Sequence, residues 1–319
     1  MKASLRTWVL VGLLAVLAAV PPIAAVLHEP FYLDLLRRVM IFAIAAISLN
    51  LILGYGGMVS FGHAAYLGIG AYAVGILDHH GISNGWLQWG IAVGASALVA
   101  AAIGSISVRT SGIYFIMITL AFTQMLYYLG VSLAEYGGDD GMRLSVRSQF
   151  SGLIDLNDAT AFYYLVFGIL VLFLYLTHRL VNSRFGLVLQ AVRSNEARTR
   201  AIGISPYPYR LAAFVISGAM CGLAGALLAN QTSFLTPEFM NWTRSGELMF
   251  MVILGGIATT AGPLLGAAAL LLLEDLLQGW SVLPKWVNEH WQLYLGVILI
   301  LVVLFARRGL AGLLPGKHD

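Results

Sequence analysis

The sequence predicts an all-α polytopic membrane protein, folded as one transmembrane domain over residues 1–319. Three observations carry this. The chain is 59% hydrophobic and only 10% charged, against about 25% charged in soluble domains, so a soluble fold has no way to hide its apolar surface. The apolar residues fall in runs of membrane-crossing size. The Lys and Arg residues lie in the connections between runs, with a bias in side.

About ten membrane segments can be drawn, at 8–27, 38–53, 61–77, 87–108, 112–131, 161–180, 209–230, 247–258, 262–280 and 291–306. The first follows Lys2 and Arg6. It is long enough to span and lacks a clear cleavage site, which argues against a removed signal peptide. Pro21 and Pro22 are expected to kink it. Segments 38–53, 61–77 and 247–258 are short for perpendicular spans. They are expected to be half-helices or broken helices joined by loops buried in protein or lining an aqueous path.

With the N-terminus in the cytoplasm, ten crossings leave twelve Lys/Arg inside and six outside. The inner set includes Arg109, Arg179, Arg307, Arg308 and Lys317; the outer set includes Arg37, Arg38, Arg143, Arg147, Arg244 and Lys285. That asymmetry places both termini in the cytoplasm. Arg37 and Arg38 fit poorly at the mouth of a span.

Two polar connections stand out. The outer loop 132–160 carries Glu135, Asp139, Asp140, Asp155 and Asp158 against Arg143 and Arg147. It reads as a solvated connector or as a surface meeting an extracytoplasmic partner, and Asp139-Asp140-Gly141 does not fit a calcium loop. On the inner side, Arg184 to Arg210 holds five arginines opposed by Glu196 alone. Phe185, Val188, Leu189 and Val192 fall at i, i+3, i+4 and i+7, one helical face. Pro206 and Pro208 stop this helix by Ser205. It is either a topology signal with a solvated charged face or a docking helix for a cytoplasmic partner.

Two glycine-rich stretches, 54–63 (GYGGMVSFGH) and 254–263 (LGGIATTAGP), align Gly56 with Gly256, Ser60 with Thr260 and Gly62 with Gly262. Paired interruptions of this kind suggest an internal repeat with a transport path at its interface. In 211–230, Gly218, Gly222 and Ala226 form one stripe of small residues, and Ser217, Cys221, Gly225 and Ala229 its neighbour. Small-xxx-small spacing brings helix backbones together, within the chain or at a subunit interface. Cys221, the single cysteine, has no disulfide partner in the chain.

The chain has no Walker A sequence, zinc-protease motif or nucleophile elbow. Neither an enzyme nor a resident cofactor or metal is expected, and His79-His80 alone makes a poor metal site. Glu274 and Asp275 are the acids nearest a span interior, and both come close to its end, which argues against an ion-coupled carrier.

Ser60-Phe61-Gly62-His63-Ala64-Ala65, followed by Gly68-Ile69-Gly70-Ala71-Tyr72, resembles a signature of the permeases of branched-chain (hydrophobic) amino-acid ABC importers. So do Gly137 to Gly141, Phe185 to Gly203, Arg244 to Glu247, Gly255-Gly256, Gly262-Pro263 and His290 through Leu310. The resemblance spans nearly the whole chain and is closest to the M-type member of a two-permease pair. It implies a permease domain of the bacterial inner membrane, partnered in the bilayer by an H-type permease. Two ATP-binding cassette subunits in the cytoplasm and a periplasmic substrate-binding protein are implied too. Residues 185–204 then take the place of the coupling helix, with Arg193, Asn195, Glu196, Arg198 and Gly203 facing the ATPase. Two departures stand out: Arg198 replaces the second Ala of the family's Glu-Ala-Ala loop, and Ala258 stands where relatives commonly have Gly.

Candidate path residues are Gly57, Ser60, Gly62, His63, Thr119, Thr123, Gln124 and Gly256. Each has a plainer alternative. His63 can cap buried backbone, and Thr119 and Thr123 can simply join helices. Tyr163 and Tyr164 read as interface anchors. The cargo expected is a branched-chain or hydrophobic amino acid, with urea, amides or aromatic acids as alternatives. A stand-alone channel or ion-coupled carrier is the competing class. No nucleic-acid partner is expected.

Overall fold

A computed structural model describes residues 5–27, 30–150, 152, 154–279, 290–305 and 309–312. The termini expected in the cytoplasm, and Lys285, Arg307, Arg308 and Lys317, lie outside the described residues. Among the described residues the regular elements are helices and one two-stranded ribbon. The helices are α1 (Leu5–Leu27), α2 (Pro30–Asn50), α3 (His63–His79), α4 (Gly85–Ser107), α5 (Ile113–Ser132) and α6 (Ala159–Val181). They continue with α7 (Arg184–Ser194), α8 (Glu196–Ala201), α9 (Pro206–Thr232), α10 (Trp242–Gly255), α11 (Gly262–Gly279) and α12 (Trp291–Phe305). By length and composition, five described helices can cross a membrane: Phe31–Tyr55, Gly85–Ser107, Ile113–Ser132, Ala159–Val181 and Pro206–Thr232.

The first of these corrects an expectation. Segment 38–53 is no half-helix: α2 runs on into a π-helical turn, Leu51–Tyr55, giving 25 residues. The charged residues that suggested a later start are absorbed into the helix. Arg37 is buried, its Nη2 2.5 Å from Asp34 Oδ1, its Nε donating to Gln231 of α9, and its guanidinium 4.6 Å from the Phe162 ring. From Val39 onward α2 is apolar nearly all round and almost wholly buried, as such a helix must be at the centre of a bundle. Elements α6, α9, α10 and α11 surround it.

Pro21 and Pro22 lie inside α1, which continues through both. Each proline lacks the N–H that would bond four residues back, freeing the carbonyls of Leu17 and Ala18. Adjacent tyrosines of α6 take them over: Tyr163 Oη donates to Leu17 O at 2.8 Å and Tyr164 Oη to Ala18 O at 3.3 Å. These tyrosines therefore serve as backbone partners, the compensation a helix in lipid requires.

The small residues of α9 divide between two neighbours. A β-carbon at Gly218 would lie 2.5 Å from Ala100 Cβ, and one at Gly222 3.0 Å from Ala92 O, both on α4. A β-carbon at Gly225 would lie 2.8 Å from Leu67 C on α3. Both stripes are intrachain contacts, clamping α9 between α3 and α4.

At one end of the bundle, β1 (Met142–Arg143) pairs antiparallel with β2 (Phe234–Leu235), pinning the 132–160 loop to the end of α9. Buried Asn230 accepts from Ser148 N at 2.8 Å, and Ser148 Oγ donates to Gln88 Oε1 at 2.5 Å. Asp78 accepts from Ser145 N at 2.6 Å.

Candidate functional site

The basic stretch is not one helix over 185–204. It breaks at Asn195, whose backbone is extended (φ −161°, ψ 102°). The physical reason is capping. Asn195 Oδ1 accepts from Arg198 N at 2.9 Å, which makes Asn195 the N-cap of a new helix. Ser183 caps α7 in the same way through Gly186 N. The apolar face lies inward, with Leu189 and Val192 buried. Gly203, at φ 85°, turns the chain after α8, and Pro206 opens α9 at a position where a missing N–H costs nothing.

Glu196 is held between two cations. Its Oε1 lies 2.6 Å from Arg200 and its Oε2 2.8 Å from Arg210 of α9. The elbow of α7 and α8 is thereby tied to a long helix of the bundle. Arg193, Ser194, Ala197, Arg198 and Arg200 remain exposed around it. Arg193 points back into the fold: its Nη1 donates to Gly54 O, and a β-carbon at Gly57 (φ 67°) would lie 2.8 Å from its Cγ.

The two glycine stretches meet. Asn50, buried just ahead of the π turn, accepts from Ala258 N at 3.0 Å and donates to Thr259 O at 3.0 Å. A β-carbon at Gly54 would lie 2.7 Å from Ala258 N. In each stretch a hydroxyl accepts from the glycine N–H that leads the next helix: Ser60 Oγ from Gly62 at 3.0 Å, Thr259 Oγ1 from Gly262 at 3.0 Å. Gly256 sits at φ 119° and ψ 111°, a backbone that favours glycine.

Thr119 and Thr123 are buried on α5 against the first stretch. Thr119 Oγ1 accepts from Phe61 N at 3.3 Å, and Thr123 Oγ1 donates to Phe61 O at 3.2 Å. Ser245 of α10 accepts from Ala64 N at 2.9 Å, supplying one of the orphan donors at the start of α3. Gln124 is half-buried beside exposed Ala121, Met125 and Tyr128, on the side of α5 away from the glycine stretch.

His63 is completely buried at the first position of α3. Its Nε2 lies 2.7 Å from Ser217 Oγ of α9. The Ser217 hydroxyl donates to Ser48 O, so its one proton is committed and His63 Nε2 is the donor. Nδ1 then carries a bare lone pair, and it has no partner among the described residues. Nearby, a cavity of about 80 Å³ opens between Gly57–Val59, the start of α5 and Arg210.

The structure thus gathers Gly57, Ser60, Gly62, His63, Thr119, Thr123 and Gly256 around two touching turns, with Arg193 on their surface. Four participants escaped sequence reasoning. Ser245 stood in the quoted Arg-Ser-Gly-Glu motif and Ser217 in a small-residue stripe. Arg210 was one of the five arginines set against Glu196, without being singled out as its partner, and Asn50 carried no signal of its own.

A family model described as the permease component of branched-chain amino acid transport systems matches residues 31–304. Among similar curated proteins is the high-affinity branched-chain amino acid transport system permease protein LivM of Escherichia coli. It is 29% identical over 300 residues, which cover 87% of this chain and 69% of the relative. The probable LivM of Methanocaldococcus jannaschii is 28% identical, covering 89% of this chain and 94% of the relative. The autoinducer 2 import system permease protein LsrC of Enterobacter sp. is also 28% identical, covering 97% of this chain and 89% of the relative. The match to the family model spans the bundle, both glycine turns and the α7–α8 elbow, and the chain belongs to the family of branched-chain amino acid transport system permease components.

Proposed function

We propose that this chain is one of two permease subunits of an ABC importer for branched-chain or hydrophobic amino acids. It works beside an H-type permease in the bacterial inner membrane. Two ATP-binding subunits lie in the cytoplasm, the α7–α8 elbow is this chain's docking segment for them, and a periplasmic binding protein delivers cargo to the outer face. The chain makes about ten membrane segments with both termini in the cytoplasm. Its two glycine stretches are related positions of an internal repeat, and the path passes beside them. The observation that carries this reading is the elbow itself: a capped, arginine-rich helix pair, apolar on its inner face and ion-paired to α9. Such a lever suits a chain in which no ATP-binding motif occurs.

The test is reconstitution with the partner subunits in vesicles. Glu196→Lys or Gly203→Leu is expected to insert and meet the binding protein, yet to uncouple ATP hydrolysis from uptake. Full stimulation and full uptake by both variants would refute the lever. A second cargo is favoured by one finding, the autoinducer 2 permease similar over nearly the whole chain. Ligand screening of the cognate binding protein, with leucine, isoleucine, valine, autoinducer 2, urea and amides, separates these cargoes.

A further inference from the structure

We propose that Arg193 and Asn50 are positioning residues that make the α7–α8 elbow and both glycine turns move as one body. This rests on the reading of the elbow as the segment driven by ATPase subunits. It assigns Arg193 a partner inside the chain, where sequence analysis had it facing the ATPase.

The argument follows the hydrogen bonds. A π turn loosens the regular backbone ladder, and in Leu51–Tyr55 the carbonyl of Gly54 is taken by Arg193 Nη1. The aliphatic stem of Arg193 lies over Gly57, whose positive φ and missing β-carbon admit it. One helical turn before Gly54, Asn50 grips the second stretch with both ends of its amide, through Ala258 N and Thr259 O. Gly54 itself presses against Ala258. A displacement of α7 therefore reaches the first turn through one guanidinium and the second through one amide. The second turn joins α10 to α11, which pack closely: a β-carbon at Gly266 would lie 2.8 Å from Gly255 N. Asn50 is buried and both ends of its amide are used, so the joint has little slack.

The experiment uses the complete complex in vesicles, with binding protein and L-leucine as probe and wild-type uptake as reference. Arg193→Ala is expected to lower leucine uptake and binding-protein stimulation of ATP hydrolysis at least fivefold. Arg193→Lys, which keeps a donor and a stem, is expected to recover at least half. Arg184→Ala, which removes the same charge from the first residue of α7, is expected to retain most of both. Asn50→Asp still accepts from Ala258 N but loses the donor to Thr259 O, and is expected to behave like Arg193→Ala. A conformational readout separates transmission from folding. Spin labels at Ser194 and Ile257 are expected to hold a constant separation through the nucleotide cycle in the wild type. In Arg193→Ala that separation is expected to become nucleotide-dependent.

Wild-type coupling by Arg193→Ala, or a label separation that varies in the wild type, overturns the relay. If either residue's replacement prevents assembly, the wild-type separation decides alone. The relay and the lever fail differently. If Glu196→Lys uncouples while Arg193→Ala does not, only the relay is wrong. If neither uncouples and the ATPase subunits fail to cross-link to position 194, the lever is wrong.

Discussion

Tyr163 and Pro21 are predicted to be energetically coupled although they sit on different helices. Replacing Tyr163 with Phe keeps the ring and removes only the hydroxyl that serves Leu17 O at 2.8 Å. Because Pro21 has no N–H, that carbonyl then has no helical donor. Leaving a buried carbonyl unpaired costs roughly 1–3 kcal/mol, while hydrogen bonds between membrane helices measure about 0.6 and at most about 1.7 kcal/mol. A loss of about 1–1.5 kcal/mol is expected for Tyr163→Phe. In a Pro21→Ala background the alanine N–H reaches Leu17 O itself, and Tyr163→Phe should then cost about 0.5 kcal/mol or less. The cycle gives a coupling of about 1 kcal/mol, on the order of 1–2 °C in melting midpoint for a chain of this length. Tyr164→Phe supplies an internal control, since its bond to Ala18 O is longer, at 3.3 Å, and exposed. It should cost less than Tyr163→Phe. The assay is thermal unfolding of the four purified variants of the cycle and the Tyr164 variant in detergent. Equal cost of Tyr163→Phe in both backgrounds would show that the hydroxyl does not compensate the proline.

Two further outcomes are expected. Single cysteines at Ser194 and Ser205, in a Cys221→Ala background, should react only with thiol reagents that enter the cytoplasm, and one at Asp140 from outside; labelling of position 194 from the periplasm would reverse the orientation. Position 140 is chosen because it is exposed, whereas Ser148 in the same loop is buried. Ala258 holds φ 60°, a conformation costing an L-residue roughly 1–2 kcal/mol. Ala258→Gly should therefore raise stability by about 0.5–1 kcal/mol after the entropy of glycine is counted, and a lowered melting midpoint would show that the alanine methyl packs better than the backbone is strained.

What the sequence made legible follows from which interactions are periodic. The inward stripe of α7 repeats every three to four residues, and the small residues of α9 repeat every four, so both could be read directly. The division of those small residues between α3 and α4 could not, because one repeat looks the same whichever helix faces it. The break at Asn195 was hidden by the continuing helical composition on both sides. It depends on a side chain choosing the backbone N–H of Arg198 over solvent, a choice that Asn makes in many contexts. Asn50 was invisible for a different reason: its partners lie more than 200 residues away. The late start drawn for α2 came from treating Arg37 as a boundary, when Asp34, Gln231 and Phe162 give it a place inside. Tyr163 and Tyr164 passed as interface anchors since nothing local links them to two prolines in α1. Ala258 is the instructive opposite: the resemblance marked it as a departure from glycine, and the structure supplies the reason as a positive φ.

The clamping of α9 has a consequence for how such a bundle can rearrange. Helices usually slide past one another by letting side chains switch rotamers at the contact. Between α3 and α9 there are no such side chains: a β-carbon at Gly225 would meet the Leu67 backbone and one at Gly70 the Gly222 backbone, so main chain lies directly on main chain. Shear there would drive backbone into backbone, so α3 and α9 form a unit with no internal gear, and α4 packs on it through the small side chains of Ser96 and Ala100. Helix α5 is attached in another way, through two threonine hydroxyls and the edge of Phe115 on Phe214. Hydroxyls can exchange partners at small cost, and aromatic edges can roll. Relative motion between this block and its surroundings is thus concentrated along α5, where it costs least.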